Sequence, residues 1–382
     1  MGGSMKEIRI GIIGTGVMGA DHAAILAEGV ANARLVAVQD FDRSRAETIA
    51  ASLGVRAIAD ADTLIGDPDI DAVMVCSPDG THGSLALKAI AARKPVLVEK
   101  PLAGSLEDAE AIVRAEVAAG RRLVQVGFMR RFDAGYREME QALASGELGR
   151  PLFLHCVHRN AVGPDYLTSE LVIANSAGHE FDIARYLLDD EITSAIVASP
   201  PATRNAPNRQ PQFILLQTGS GVVVDIEVFT DAQYGYDVRA ELVCEDGTVA
   251  LDPSPATTLR AKGHDGFRTP ADWRPRFRQA YRAQLEAWTA GILTQKPSGS
   301  SAWDGHMAML VTKAAFRPGR RAPAPPLKSP KSRPCIGETE TWRRNQLAAR
   351  TQGRNGVPAM KEREEPASHA RLVSIGKPFC TE

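Results

Sequence analysis

An acid and a base stand side by side in "KPVLVEKPLAG", where Glu99 and Lys100 close a short apolar run and Pro101 follows. Held in place, such an ammonium can stabilise a developing negative charge on a substrate oxygen; left free, the pair is only a solvated surface turn. Farther on, "NSAGHEFDIARYLL" sets Asn175 and His179 four residues apart. On a helix that spacing puts both on one face, and histidine titrates in the range a general base needs. A third group is Gly14-Thr15-Gly16-Val17-Met18-Gly19, whose glycines let a backbone approach phosphates closely.

These residues need elements to position them. Val96, Leu97 and Val98 read as a short buried strand of the parallel-sheet kind, which Pro101 cannot extend because it lacks an N–H. Proline also biases Lys100 toward extended geometry at the strand's carboxyl end, the edge where open α/β sheets bind ligands. The glycine turn follows the apolar "IRIGII" and opens a helix-like stretch. A second strand, "ARLVAVQD", ends in Asp40, 21 positions after Gly19. That context is a dinucleotide fingerprint, with an acid placed to take the ribose hydroxyls. Asp40 would repel a 2'-phosphate and favours NAD over NADP, a preference tempered by Arg43 and Arg45.

Further strand-helix units follow: "DAVMVCSPDGTHGSLALKAIAA", with Ser77, Pro78 and His82 in its turn, then the Glu99 strand, a helix capped by Ser105, and "RRLVQVGFMRR". Their rhythm predicts an α/β dinucleotide-binding (Rossmann) domain over residues 5–126. His82 fits a satisfied loop histidine and a cofactor contact equally well. The cofactor set read from these turns is Gly14, Gly16, Val17, Met18, Gly19, Asp40, Ser77, His82 and Glu99.

From about Pro151 the pattern changes. Val224, Ile226 and Val228 alternate with Asp225 and Glu227, and Val238, Ala240, Leu242 and Cys244 alternate with Arg239, Glu241 and Val243. Alternation predicts a sheet with one buried face, so residues 127–316 read as an α+β domain with a large, mostly antiparallel sheet. Residues 317–382 carry fourteen Lys and Arg against six Asp and Glu, and nine prolines. They keep no period and read as a disordered, solvated tail, dispensable for chemistry, with too few aromatics for a nucleic-acid arm.

The 382 residues suffice for two domains, and the formal net charge of -1 hides a mildly acidic body and the basic tail. Five cysteines without paired spacing indicate neither disulfides nor a zinc site, and a reducing cytoplasm is the expected home. No apolar run approaches the roughly 18 residues of a membrane span. "MGGS" ahead of Met5 reads as an expression scar.

With the glycine turn, Glu99-Lys100-Pro101 and His179 in a second domain, the chain resembles the glucose-fructose oxidoreductase and inositol 2-dehydrogenase family. "RRLVQVGFMRRFD", "HCVHRN", "HEFD", "YGYD" and "AWDG" are most similar to its bacterial inositol 2-dehydrogenase branch. The resemblance covers roughly residues 5–316. It implies Lys100 and His179 as catalytic residues, Arg130, His158, Asn160 and Tyr236 as polyol contacts, a nicotinamide cofactor, and a homotetramer built through the second domain's sheet. The implied reaction is NAD-dependent oxidation of a cyclic polyol, myo-inositol to 2-keto-myo-inositol (scyllo-inosose). Two other readings stay open: an oxidoreductase of another polyol or sugar, and a nucleotide-binding protein with impaired catalysis. The last arises because Asn175 stands where the family has an aspartate beside the catalytic histidine. Cys156 reads as a small buried hydrophobe.

Asp40→Ala is expected to weaken NAD binding and narrow the preference over NADP, as judged by initial rates with both cofactors. Equal or better use of NADP by the unmodified protein would refute the assignment.

Overall fold

Short apolar runs with no polar alternation become the strands of a parallel sheet buried on both faces. The computed structural model describes residues 7–251 and 258–316; the MGGS stretch ahead of Met5 and residues 317–382, expected to be disordered, lie outside them. The first half runs β1 (Ile8–Ile13), α1 (Val17–Ala27), β2 (Ala33–Gln39), α2 (Arg43–Leu53), β3 (Arg56–Ala57), α3 (Ala61–Gly66), β4 (Ala72–Val75), α4 (Asp79–Ala91), β5 (Val96–Val98), α5 (Leu106–Ala119) and β6 (Val124–Val126). Every pairing is parallel and the order is β3-β2-β1-β4-β5-β6. The chain reverses direction across the sheet between β1 and β4, which opens a crevice at the carboxyl edge. Val73, Met74, Val75, Val96, Leu97 and Val98 have no exposed surface.

Capping chemistry separates the helices. Asp42, Asp60 and Ser105 cap α2, α3 and α5 with side-chain oxygens. α1 and α4, which open at the crevice, start without a side-chain cap.

After β6 a 3-10 turn (Met129–Phe132) leads into α6 (Ala134–Ser145), β7 (Pro151–Arg159), α7 (Ser169–Val172), a π-helical turn (Ile173–Ala177), α8 (Gly178–Leu188), β8 (Ile192–Ala198), β9 (Gln212–Thr218), β10 (Val223–Phe229), β11 (Asp237–Cys244), β12 (Thr248–Leu251), the short β13 (Leu259–Ala261) and β14 (His264–Gly266), α9 (Arg274–Thr294) and α10 (Ala302–Ala315). The second sheet is ordered β12-β11-β7-β10-β9-β8, and only the β7–β10 pair is parallel. The predicted alternation holds: Val224, Ile226, Val228, Val238, Ala240, Leu242 and Cys244 are all buried. α8 packs on β7, and its Phe181, Ile183 and Ala184 are fully buried. The opposite face shows Phe153, His155, Phe213 and Leu215 to solvent.

One local expectation is corrected. Asn175 and His179 do not share a regular α-helix: Asn175 lies in the π-helical turn and His179 in the first turn of α8. A π turn carries one extra residue and widens the backbone ladder, a device common at functional sites. No helix among the described residues is long and apolar enough to cross a membrane.

Candidate active site

The glycine turn is shaped for close backbone approach. Gly14 has φ +91°, and a Cβ there would lie 2.5 Å from the Ser77 nitrogen. A Cβ on Gly19 would lie 1.8 Å from the Gly14 carbonyl oxygen, whereas Gly16 has open space. Gly16 precedes α1 with no side-chain cap, and Val17 is exposed. The first amides of α1 therefore face the crevice with no competing side chain, an arrangement that fits a pyrophosphate.

Asp40 sits directly after β2, as expected. Its Oδ2 accepts from the Thr15 amide at 2.6 Å and the Thr15 hydroxyl at 2.9 Å, and Oδ1 from the Asp42 amide at 2.8 Å. Burial pushes this carboxyl up, but those donors and Arg45 outweigh it and hold it below the usual range. Oδ1 keeps lone-pair capacity for a ribose hydroxyl. The Ser77 and Thr81 hydroxyls lie 2.6 Å apart at the start of α4.

Two residues of the expected cofactor set do not face open space. His82 is not in the turn but in the first turn of α4, 1% exposed, with Nδ1 2.7 Å from the Pro101 carbonyl and Nε2 2.8 Å from that of Ser77. It braces the two loops against each other. Glu99 is 5% exposed: Oε1 lies 2.8 Å from Nε2 of His22 and Oε2 accepts from the Lys100 amide at 3.2 Å. Burial pushes the Glu99 carboxyl up; His22 and Lys100 outweigh this and keep it low.

Lys100 turns its ammonium toward the second domain, where Nζ donates to the Asn175 carbonyl at 3.1 Å. His179 lies in the same region, buried, with the Phe128 ring edge-on at 6.0 Å and Nδ1 without a hydrogen-bond partner. Burial, then the positive charges of Arg130 and Lys100, push the imidazole well below its ordinary value. It is a neutral ring with a free lone pair, the form a general base requires.

Behind it stands a buried charge cluster. Arg130 pairs with Glu180, and Nδ1 of His158 lies 3.2 Å from both. Burial raises the Glu180 carboxyl, but Arg130 and His158 bring it well below the usual range. The Tyr236 ring packs at nearly a right angle to that of His158, with centroids 5.9 Å apart, and burial pushes its phenol up to about 12. Arg130 is 1% exposed, paired with Glu180 and 3.2 Å from His158. Asn160 keeps a buried Oδ1 without a partner, an acceptor free for a hydroxyl. Cys156 is buried, and burial and Glu180 push its thiol up.

Sequence reasoning passed over His22 and Glu180. A lone histidine on the apolar face of α1 carries no local signal, since its partner is 77 positions away. Glu180 adjoins His179, but its role emerges only when Arg130 arrives from the 3-10 turn.

Glycine turn, ribose acid and a neutral histidine beside a strand-end lysine together define a two-domain nicotinamide-dependent oxidoreductase. Residues 8–128 match the oxidoreductase family with NAD-binding Rossmann fold, and residues 136–250 match the GFO/IDH/MocA C-terminal domain. The chain belongs to the GFO/IDH/MocA oxidoreductase family. It is 49% identical over 314 residues to inositol 2-dehydrogenase 1 of Saccharopolyspora erythraea, covering 81% of this chain and 93% of the relative. It is 44% identical over 313 residues to inositol 2-dehydrogenase of Acidothermus cellulolyticus, covering 81% and 92%. Among solved structures it resembles myo-inositol dehydrogenase from Lactobacillus casei in complex with NAD(H) and myo-inositol, with a TM-score of 0.78, 35% identity, and 81% and 93% coverage.

Gly19→Ala places a methyl group against the Gly14 carbonyl and is expected to weaken dinucleotide binding by about a hundredfold or more, read by NADH fluorescence titration. A dissociation constant within about threefold of the unmodified protein would show that the turn does not form the cradle.

Proposed function

We propose that this chain is an NAD-dependent inositol 2-dehydrogenase, oxidising myo-inositol to 2-keto-myo-inositol. The observation that carries the chemistry is the meeting of the Lys100 ammonium and the neutral, unpartnered His179 at the junction of the two sheets. The relatives carry the substrate. None of those named supports the aldose reading or the impaired one.

When bound, the nicotinamide supplies the hydride acceptor. His179 takes the proton of the hydroxyl being oxidised, so that the carbinol C–H bond can break with departure of hydride. Lys100 donates to the oxygen as negative charge develops on it, an interaction stronger in the transition state than in the ground state. Asn160 accepts from one ring hydroxyl, and His158 and Tyr236 offer further polar edges. Arg130 and Glu180 fix the orientation of His158. Asp40 accepts from the adenosine ribose, and the uncapped start of α1 holds the pyrophosphate.

The assembly is a homotetramer in which the exposed face of the second sheet is covered by another copy. Its support is the row of Phe153, Phe213, Leu215 and Ile196 left open on that face, since large exposed apolar patches mark interaction surfaces. The setting is cytoplasmic inositol catabolism.

Initial rates with a panel of inositols and aldoses, each with NAD and NADP, test this reading; activity confined to aldoses would sink it. Lys100→Met is expected to remove most turnover, at least about a hundredfold in kcat, while nucleotide binding persists. Near-normal turnover would return the Glu99-Lys100 pair to a structural role. Asn175→Asp adds an anion near His179 and raises its proton affinity. The acid limb of kcat/KM is expected to move to higher pH, and the rate above it to rise about tenfold if the charge is worth about 1.4 kcal/mol. An unchanged rate and profile would mean that residue 175 serves through its backbone carbonyl alone.

A further inference from the structure

The Glu99 carboxylate is more than a prop for the turn after β5. It is a buried charge at the carboxyl edge of β5, on the opposite side of the switch point from Asp40. Its partner His22 is fully buried on α1, with the Tyr281 ring edge-on at 5.4 Å and Nδ1 without a partner. A doubly protonated ring there would leave a charged N–H unpaired in the interior. A neutral ring with hydrogen on Nε2 donates to Glu99 and leaves only an unused lone pair, so the pair keeps the carboxylate's full negative charge.

Other groups around the crevice feel that charge. The Cys76 thiol is pushed well up, by burial and then by Glu99. The Tyr281 hydroxyl is pushed up by burial, then Glu99, then Tyr236. The opposing charge is the Lys100 ammonium, which is turned away toward Asn175. A dinucleotide across the switch point, with its adenosine ribose at Asp40, places its nicotinamide half over β4 and β5. Hydride transfer turns a cationic pyridinium into a neutral dihydropyridine. A fixed buried anion on that side therefore attracts the oxidised ring and is indifferent to the reduced one.

We infer that the Glu99 carboxylate, anchored by His22, sets the preference of the dinucleotide site for oxidised over reduced nicotinamide. This rests on the NAD-dependent reading above and adds a specificity-determining residue to it. The consequence for turnover is that NAD is held more tightly relative to NADH, which limits product inhibition in the oxidative direction.

The test is equilibrium binding of NAD (calorimetry) and NADH (fluorescence) to the purified full chain, without substrate. Glu99→Gln keeps the size and removes the charge; its one carbonyl oxygen can still accept from His22, while its NH2 group takes the place of the oxygen that accepts from the Lys100 amide. It is expected to lower the ratio of the NADH to the NAD dissociation constant about tenfold. His22→Gln retains a donor and leaves the charge in place, so the ratio is expected to hold within about twofold. Lys100→Met removes the opposing charge and should move the ratio the other way, which keeps the inference testable if Glu99→Gln does not fold. An unchanged ratio in Glu99→Gln, or a fall in Lys100→Met, overturns it. Failure of the unmodified chain to bind either cofactor would instead overturn the dinucleotide reading beneath it.

Discussion

The bond from the Lys100 ammonium to the Asn175 carbonyl joins the two halves of the site. Lys100 comes from the carboxyl edge of the parallel sheet, and Asn175 from the π-helical turn that introduces His179. A charge-assisted hydrogen bond of this kind is worth about 1.5–3 kcal/mol. Its larger effect is geometric, because it fixes a positive charge next to a histidine that must stay neutral. Pro101 ends the strand, and the widened helical turn offers a carbonyl where a regular helix would keep it in the ladder. Without either feature the ammonium would have no fixed address.

Around that bond the protein buries charges with fixed partners. Glu99 is hydrogen-bonded by His22, and Glu180 is paired with Arg130 and His158. Removing Arg130 from the second group leaves an uncompensated buried charge, costing about 3–5 kcal/mol. The same low-polarity surroundings strengthen each remaining interaction. His179 is buried between the groups with the cations Arg130 and Lys100 nearby, and both effects disfavour a second proton on its ring, leaving one ring nitrogen with its lone pair. A third cluster, Arg131 with Asp182 and Asp304, ties α8 to α10, where Ser301 and Asp304 form a capping box. It steadies the helix that carries His179.

What could be read from sequence was whatever local periodicity encodes. The apolar runs at Val73 and Val96, the alternation through Val224 to Val228, and the glycine turn with Asp40 each state their own geometry. So did the placing of Lys100 at a strand end. The π turn was hidden because a spacing of four between Asn175 and His179 looks the same whether or not an extra residue widens the helix beside them. The buried partnerships were hidden for another reason. Arg130 with Glu180, His22 with Glu99, and His82 with the Ser77 and Pro101 carbonyls unite residues from separate elements, and nothing in either segment names the other. Resemblance supplied Arg130 and His158 as a set, and the structure shows that they meet through Glu180.

The most direct test of the neutral-base account is the pH dependence of kcat/KM for myo-inositol with saturating NAD. That profile reports the essential groups of the enzyme before the polyol binds. With His179 held below the ordinary histidine value, the acid limb should fall below about pH 6.5, with the rate level through neutrality. A limb centred at or above about pH 7 would mean that His179 is charged in the resting site, and the account of Lys100 and Arg130 keeping it neutral would fail.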